Sequence, residues 1–384
     1  MAEMTVNDPQ SGSFRTYARI AFGRSAGYMS GWIYWLAGVL IMSSEIVALS
    51  TFTQYWFPHV PLGVFSLLYA ALGFGINFMG VRNFGAVESM FAVVKLTVLV
   101  LFILFGALFV CGVFHAAYGV PVQRIGMNAL FPHGVHGLWS AMIFVFFSFG
   151  GIEVVGVTSS ELKRGEDIAK AGAVLLVTLV LIYVLALYMV LKMTDQSAIS
   201  DAASPFVTAL SGFTIPYLDT LFNLIIISAA FSTMVGALFG ISRILVSLSE
   251  DGDAPRSLKQ TNGRGVAAKS LWLTAAALAV LIACSYALPS SMYEYVSTAA
   301  GVMLILNWIL ILASYLKLHN GYDSGNGKFR AFGYPYTAYL AIALIAMTII
   351  GALLHRNERI GVVLSVVLIL LVFVSSKLVR RSVG

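Results

Sequence analysis

Apolar stretches of about 20 residues recur from Gly31 to the C-terminus, separated by short polar runs. At about 1.5 Å per residue, such a stretch crosses the roughly 30 Å hydrocarbon core of a bilayer as one helix. The pattern predicts spans at about 29–57, 61–79, 87–114, 137–158, 170–193, 217–249, 268–287, 292–318, 335–354 and 359–378. Residues 1–28 read as the cytoplasmic end of a helix followed by a loop, and carry neither the basic nor the apolar region of a signal peptide, so the first span is expected to target the chain. Residues 29–384 read as a single transmembrane domain, because no loop between spans is long enough for a soluble one. The expected fold is all-α and polytopic, with about ten transmembrane helices.

Composition agrees with this pattern. Of the 384 residues 59% are hydrophobic and 10% charged, with mean hydropathy +0.89, whereas soluble domains run near 25% charged. The net charge of +6 is a matter of topology. Of 23 Lys and Arg, Arg124, Lys192, Arg356 and Arg359 fall on one side and Lys95 within a span, leaving 18 on the other, among them Arg15, Arg19, Arg24, Lys163, Arg164, Arg264 and Lys328. That bias puts both termini in the cytoplasm of a cell whose inner membrane holds the protein. The basic residues thus line one membrane face and form no aromatic-basic stripe, which argues against nucleic acid. Trp32, Tyr34 and Trp35 at one end of the first span, with Tyr55, Trp56 and Phe57 at the other, are expected to be interfacial anchors. Cys111 and Cys284 fall in predicted spans and are expected to be packed thiols.

The run Phe146-Phe147-Ser148-Phe149-Gly150-Gly151-Ile152-Glu153 interrupts this grease with a glycine pair and a carboxylate. Adjacent glycines weaken a helix by roughly 2 kcal/mol relative to alanine. Unwound backbone at bilayer depth is tolerated only where it is buried in protein or lines a cavity, and an ionisable side chain there marks function. A broken helix with a charge at the break points to the interior of a transporter; a glycine packing contact with a hydrogen-bonded glutamate is the other reading.

Five ordered motifs carry a resemblance. They are Glu3-Met4 with Pro9 to Phe14 and Tyr17-Ala18; Gly31-Trp32-Ile33-Tyr34-Trp35; Asn83-Phe84-Gly85-Ala86-Val87-Glu88 with Lys95; Phe149 to Glu153; and Ser242-Arg243 with Glu250-Asp251-Gly252-Asp253-Ala254-Pro255. Together they resemble amino-acid permeases of the amino acid, polyamine and organocation superfamily, over essentially the whole chain. The resemblance implies a LeuT-like inverted-repeat fold, two five-helix repeats plus two helices, and aligns residues 1–28 with the end of the second helix, so that a first helix and most of a second are not represented. It implies that Phe147 stands over an amino-acid substrate, that Ser148, Phe149, Gly150 and Gly151 offer backbone groups to its polar ends, and that Glu153 serves gating or proton coupling. The family's first helix would supply the other half of this clasp.

Further candidates lie within spans. Lys95 sits about 12 Å below the nearer membrane face by helical rise; it either snorkels to the headgroups or is buried where it can exchange a proton, as a lysine replacing a sodium ion does in some members. Ser228, Ser232 and Thr233 could offer oxygens to a cation, or serve as interhelical hydrogen-bond partners. Glu45 could hold a cationic substrate group, exchange the coupling proton, or pair with Lys95. Tyr295, Ser297 and Thr298 are weaker candidates for an outer gate. His115, His133 and His136 share a loop region with no carboxylate or cysteine at ligand spacing, so neither metal nor cofactor is called for, and the turn at 250–255 lacks calcium-loop spacing and reads as solvated. The expected function is secondary active transport of amino acids by alternating access, proton-coupled and not enzymatic. The alternatives are exchange, or a non-transporting remnant because the first helix is not represented; substrate identity and oligomeric state stay open.

Overall fold

The computed structural model describes residues 1–384 except 9, 11–12, 81–83, 114–121, 124–133, 154–166, 201–202, 214, 264, 288–291, 323–329 and 384, and it gives no side-chain environment for 13, 84–88, 167–169, 285–287, 292 and 379–383. Lys163, Arg164, Arg264, Lys328, His115, His133 and Arg124 therefore lie outside the described residues, as does the environment of Glu88. The described residues form α-helices and short 3-10 turns: α1 Ala2–Asn7, α2 Ser13–Phe22, α3 Arg24–Gln54, α4 Leu62–Met79, α5 Phe84–Val110, α6 Gly134–Ser148, α7 Asp167–Met193, α8 Pro205–Ser211, α9 Leu218–Glu250, α10 Ala268–Ala287, α11 Met292–Leu318, α12 Tyr336–Ala352 and α13 Arg356–Val383. Seven helices are long and apolar enough to cross a membrane, and α6, α10 and α12 are shorter apolar helices.

Several expectations are corrected. Residues 13–22 are a helix, not a loop, because Phe14, Tyr17, Ala18 and Ala21 recur at helical spacing and are all buried. The first long helix begins at Arg24, so Trp32, Tyr34 and Trp35 lie more than a turn inside it. The helix expected over 137–158 stops at Ser148. Cys111 follows the end of α5, and both Cys111 and Cys284 are exposed rather than packed.

The chain divides into two compact units, one of Met1–Ser44, His133–Val174 and Leu238–Gly384, the other of Glu45–Pro132 and Leu175–Ala237. In the first, α11 is the central rod: two-thirds of its span is buried, against 28% in α13. One cluster joins Tyr28, Ile33, Ala37 and Leu40 of α3 to Val296, Ala299, Ala300 and Met303 of α11 and Val372 of α13. A second packs Ile143 of α6 against Val302 and Ile305 of α11, Ile345 and Ala352 of α12, and Val362 of α13. A third seats Met4, Phe14 and Tyr17 on Ile311, Tyr315 and Ala338. The second unit has an aromatic core of Phe102, Phe109, Phe213 and Phe222 with Met189, Val190 and Met193.

The end of the first unit formed by α1 and α2 is polar inside. Glu3, 2% exposed, accepts from the Ala331 N–H at 2.6 Å and the Tyr315 hydroxyl at 3.1 Å, and its other oxygen lies 2.5 Å from His319 Nδ1. The His319 ring stacks on Tyr334 at 3.6 Å. Burial pushes the Tyr17 phenol above its ordinary value and the Tyr322 phenol up to about 12.

Candidate functional site

The helix break is built by glycine. After Ser148 the backbone tightens into 3-10 turns, with Phe149, Gly150 and Ile152 N–H donating to Phe146, Phe147 and Phe149 C=O at 3.1, 2.9 and 3.3 Å. Gly151 adopts φ +97°, a conformation that L-residues avoid. Gly150 lies against α11, where an added Cβ would come within 2.7 Å of Leu304 Cδ2 and 3.0 Å of the Phe147 carbonyl. Small residues are thus required twice over, once for dihedral freedom and once for close approach. Ser148, Gly150 and Gly151 are exposed, whereas Glu153 is 5% exposed. Phe147 is half-buried against the cluster of α3, α11 and α13, and the Ser148 hydroxyl donates back to Val145 C=O at 2.7 Å.

Three donors hold Glu153. The Tyr34 hydroxyl of α3 donates to Oε1 at 2.8 Å; the Trp308 indole of α11 and the Gly151 N–H donate to Oε2 at 3.1 and 3.2 Å. A carboxylate has lone pairs for all of them, and hydrogen bonds to a charged group are worth about 1.5–3 kcal/mol each. Two more aromatics expected as interfacial anchors also make hydrogen bonds within the first unit. Trp35 donates to Thr274 Oγ1 at 3.2 Å, and Trp32 to the Asp253 carbonyl at 3.1 Å.

Near the α9 terminus, the 250–255 turn is exposed at Glu250, Gly252 and Pro255, as expected of a solvated turn, but Asp253 within it is covered. Asp253, 2% exposed, accepts from Arg24 Nε at 2.8 Å, and Asp251 pairs with Arg15 at 2.6 Å and Arg19 at 3.1 Å. Arg15, itself 2% exposed, also donates to Ser247 Oγ at 2.8 Å. Sequence reasoning listed these arginines only as topology signals. The helical spacing of Arg15 and Arg19 on an amphipathic α2 was the available clue.

The remaining candidates fall in the second unit. Lys95 is half-buried and donates to Thr233 Oγ1 at 2.9 Å, so the ammonium itself occupies the hydroxyl oxygen considered for a cation. Glu45 is half-buried and within electrostatic reach of Lys95. The Ser228 hydroxyl donates to Ile225 C=O at 2.8 Å, and Ser232 is buried on the same helix. In the first unit, Ser297 and Thr298 are buried at 1% and 0%. Among the described residues no group of His, Cys, Asp and Glu could hold a metal ion.

A sequence model for the family described as Amino acid permease matches residues 1–382. The chain belongs to the amino acid permease family. This permease is 36% identical over 385 residues to the uncharacterized transporter YcgH of Bacillus subtilis, covering 100% of this chain and 84% of that one. It is 27% identical over 384 residues to the probable threonine/serine transporter YbxG of Bacillus subtilis, covering 98% and 82% of the two chains. It is 27% identical over 371 residues to the aromatic amino acid transport protein AroP of Escherichia coli K12, covering 95% and 80%. The permease is accordingly a multi-pass membrane transport protein of the amino acid, polyamine and organocation superfamily.

Proposed function

We propose that this permease is a secondary active transporter that carries amino acids across the cytoplasmic membrane by alternating access, driven by a proton. The observation that carries this reading is the break at 149–153, with Glu153 held by Tyr34 and Trp308. A carboxylate at bilayer depth costs several kcal/mol and marks a pathway rather than a packing device. The break is exposed at Ser148, Gly150 and Gly151, and a discontinuous helix is where half-helix ends present their dipoles to a zwitterion's carboxylate and ammonium. Relatives named for aromatic amino acids and for threonine and serine are equally distant from this chain, so the shared α-amino and α-carboxyl groups define the substrate class. Phe147 packs beside this backbone as the aromatic wall.

Proton coupling is supported by Lys95. Its ammonium on Thr233 Oγ1 stands where a sodium ion would need the same oxygen, and a second cation there would meet direct repulsion. Glu45 is the counter-charge through which the lysine's proton is exchanged. The orientation follows from the positive-inside bias: the Arg15, Arg19 and Arg24 network faces the cytoplasm. Proteoliposomes holding the full chain should accumulate labelled amino acids under an imposed inward proton gradient without sodium. Uptake that ignores the gradient and requires internal counter-substrate would replace this reading with exchange.

A further inference from the structure

At the end of the first unit where α11 and α13 begin, a small polar group interrupts otherwise apolar packing. Ser140 Oγ of α6 and Glu358 Oε1 of α13 are hydrogen-bonded, with the two residues 3% and 4% exposed. Glu358 Oε2 is buried and has no hydrogen-bond partner among the described residues, and the same is true of Ser297 Oγ and Thr298 Oγ1 on α11. A second carboxylate is close: Glu294 of α11 accepts from Asn357 Nδ2 at 2.7 Å and lies, with His355, within electrostatic reach of Glu358. The other ionisable groups on these elements are the exposed His136 of α6 and the exposed Arg356 and Arg359, of which Arg359 donates to Leu353 C=O at 3.0 Å. Among the described residues of α12, no ionisable side chain contacts this group.

We propose that Glu358 is a proton-binding site of this permease, its carboxyl group held neutral against Ser140 and distinct from both Glu153 and Lys95. An ionised Glu358 would bury one oxygen with no donor while facing a like charge, and both disfavour the anion. The α13 macrodipole favours charge in the first helical turn, but weakly compared with desolvation of an unpaired carboxylate. A neutral carboxyl resolves the conflict. With the hydrogen on Oε1 the carboxyl donates to Ser140 Oγ, reversing the bond that the hydroxyl makes to the anion, while Oε2 is left a carbonyl oxygen whose lack of a partner costs less than that of a charged oxygen. One turn on, α13 and α11 approach closely: an added Cβ at Gly361 would lie 2.6 Å from Thr298 Cβ. Loosening of α6 from α13 would admit water, and the proton would leave to it, with Glu294 and His355 at the exit.

The experiment needs no transport, so its failure is separate from failure of the transport reading. Infrared difference spectra of the full chain in lipid nanodiscs, between acid and alkaline buffers, should contain a protonated-carboxyl band that Glu358→Gln removes by one group's worth of area. Ser140→Ala, which takes away only a hydroxyl, should shift the same band and raise the pH of its disappearance, because the hydrogen bond that the hydroxyl donates to the anion is stronger than the one it accepts from the acid. Superimposable spectra of wild type and Glu358→Gln, or a band indifferent to Ser140→Ala, would overturn the proposal. A thermal stabilisation by sodium over choline that is lost in Glu358→Gln would also overturn it, by making the site one for a metal cation.

Discussion

Trp308 donates its indole N–H to Glu153 Oε2 at 3.1 Å, reaching from the middle of α11 into the turn that ends α6. Tyr34 reaches the other oxygen from α3. Removing one donor from a buried carboxylate costs about 1.5–3 kcal/mol, a factor of roughly 10 to 100. Trp308→Phe and Tyr34→Phe should each lower the initial rate of amino-acid uptake by that order and the melting temperature by a few degrees, because the same hydrogen bond supports the fold. Glu153→Gln, which can turn its NH2 to the Tyr34 hydroxyl as acceptor and keep its oxygen for Trp308 and Gly151, removes only the charge and should lower gradient-driven uptake at least as far. Uptake assays on matched amounts of reconstituted protein decide this; wild-type rates in both single variants would remove the clamp from the mechanism.

Gly151 and Gly150 make different demands, so their alanine variants should fail differently. Gly151→Ala places an L-residue at φ +97°, which costs about 1–2 kcal/mol, but its Cβ would meet no atom within 4 Å. Gly150→Ala meets Leu304 Cδ2 at 2.7 Å and the Phe147 carbonyl at 3.0 Å. Gly150→Ala should therefore be partly rescued by Leu304→Ala, and Gly151→Ala should not. Rescue is read in transport and in substrate-dependent melting temperature.

Lys95→Gln should abolish uphill accumulation under a proton gradient while leaving exchange of internal for external substrate. Thr233→Val should give a milder defect, about 1 kcal/mol or fivefold, from the loss of a single hydrogen bond. Gradient-driven and counterflow assays run side by side separate the two. Equal loss of both activities in Lys95→Gln would make the lysine structural.

The arginine network should be a matter of stability first. Asp253 is almost fully enclosed, whereas the Asp251 side chain is 32% exposed. Breaking a buried ion pair by removing one partner costs about 3–5 kcal/mol, and exposed pairs about 1 or less. Asp253→Asn and Asp251→Asn should both lower the melting temperature by several degrees, the second because it leaves the 2%-exposed Arg15 without its 2.6 Å counter-charge, whereas Arg19→Gln, at a side chain 39% exposed, should lower it distinctly less.

Alkaline pH should loosen the α1 and α2 end. The phenols of Tyr17 and Tyr322 are held above their ordinary value of 10.0, the latter at about 12, chiefly by burial. The folded chain thus binds the phenolic proton more tightly than the unfolded one, and stability falls as pH rises above about 10. For Tyr322 the loss levels off beyond about 12. Tyr322→Phe should flatten the melting temperature between those limits, measured by scanning fluorimetry in detergent.

The spans were legible because their physics is one-dimensional: about 20 apolar residues cross a bilayer whatever they pack against. The break was legible because paired glycines and a glutamate at that depth have few other uses. Tyr34 and Trp308 were not, since aromatic residues within a span look alike whether they face lipid headgroups or a buried carboxylate. Asp253 was misjudged as solvated because a Gly-Asp-Ala-Pro turn has the same composition exposed or covered, and what covers it, Arg24, is 229 residues away in sequence. Glu358 was invisible: a glutamate in the first turn of a helix is ordinarily only a favourable charge.

One helix lies beside three of the buried carboxylates of the first unit, Asp253 being held instead by Arg24. Along α11, Glu294 meets Asn357 beside Glu358, Trp308 holds Glu153, and Tyr315 and His319 at and just beyond its far end engage Glu3. The rod is 27 residues, about 40 Å, long enough to run from one water layer to the other. A straight helix transmits twist along its length with little slack. Turning α11 about its own axis would disturb three acid groups in step, so the permease has in one element the mechanical linkage by which a chemical event on one face can be felt on the other.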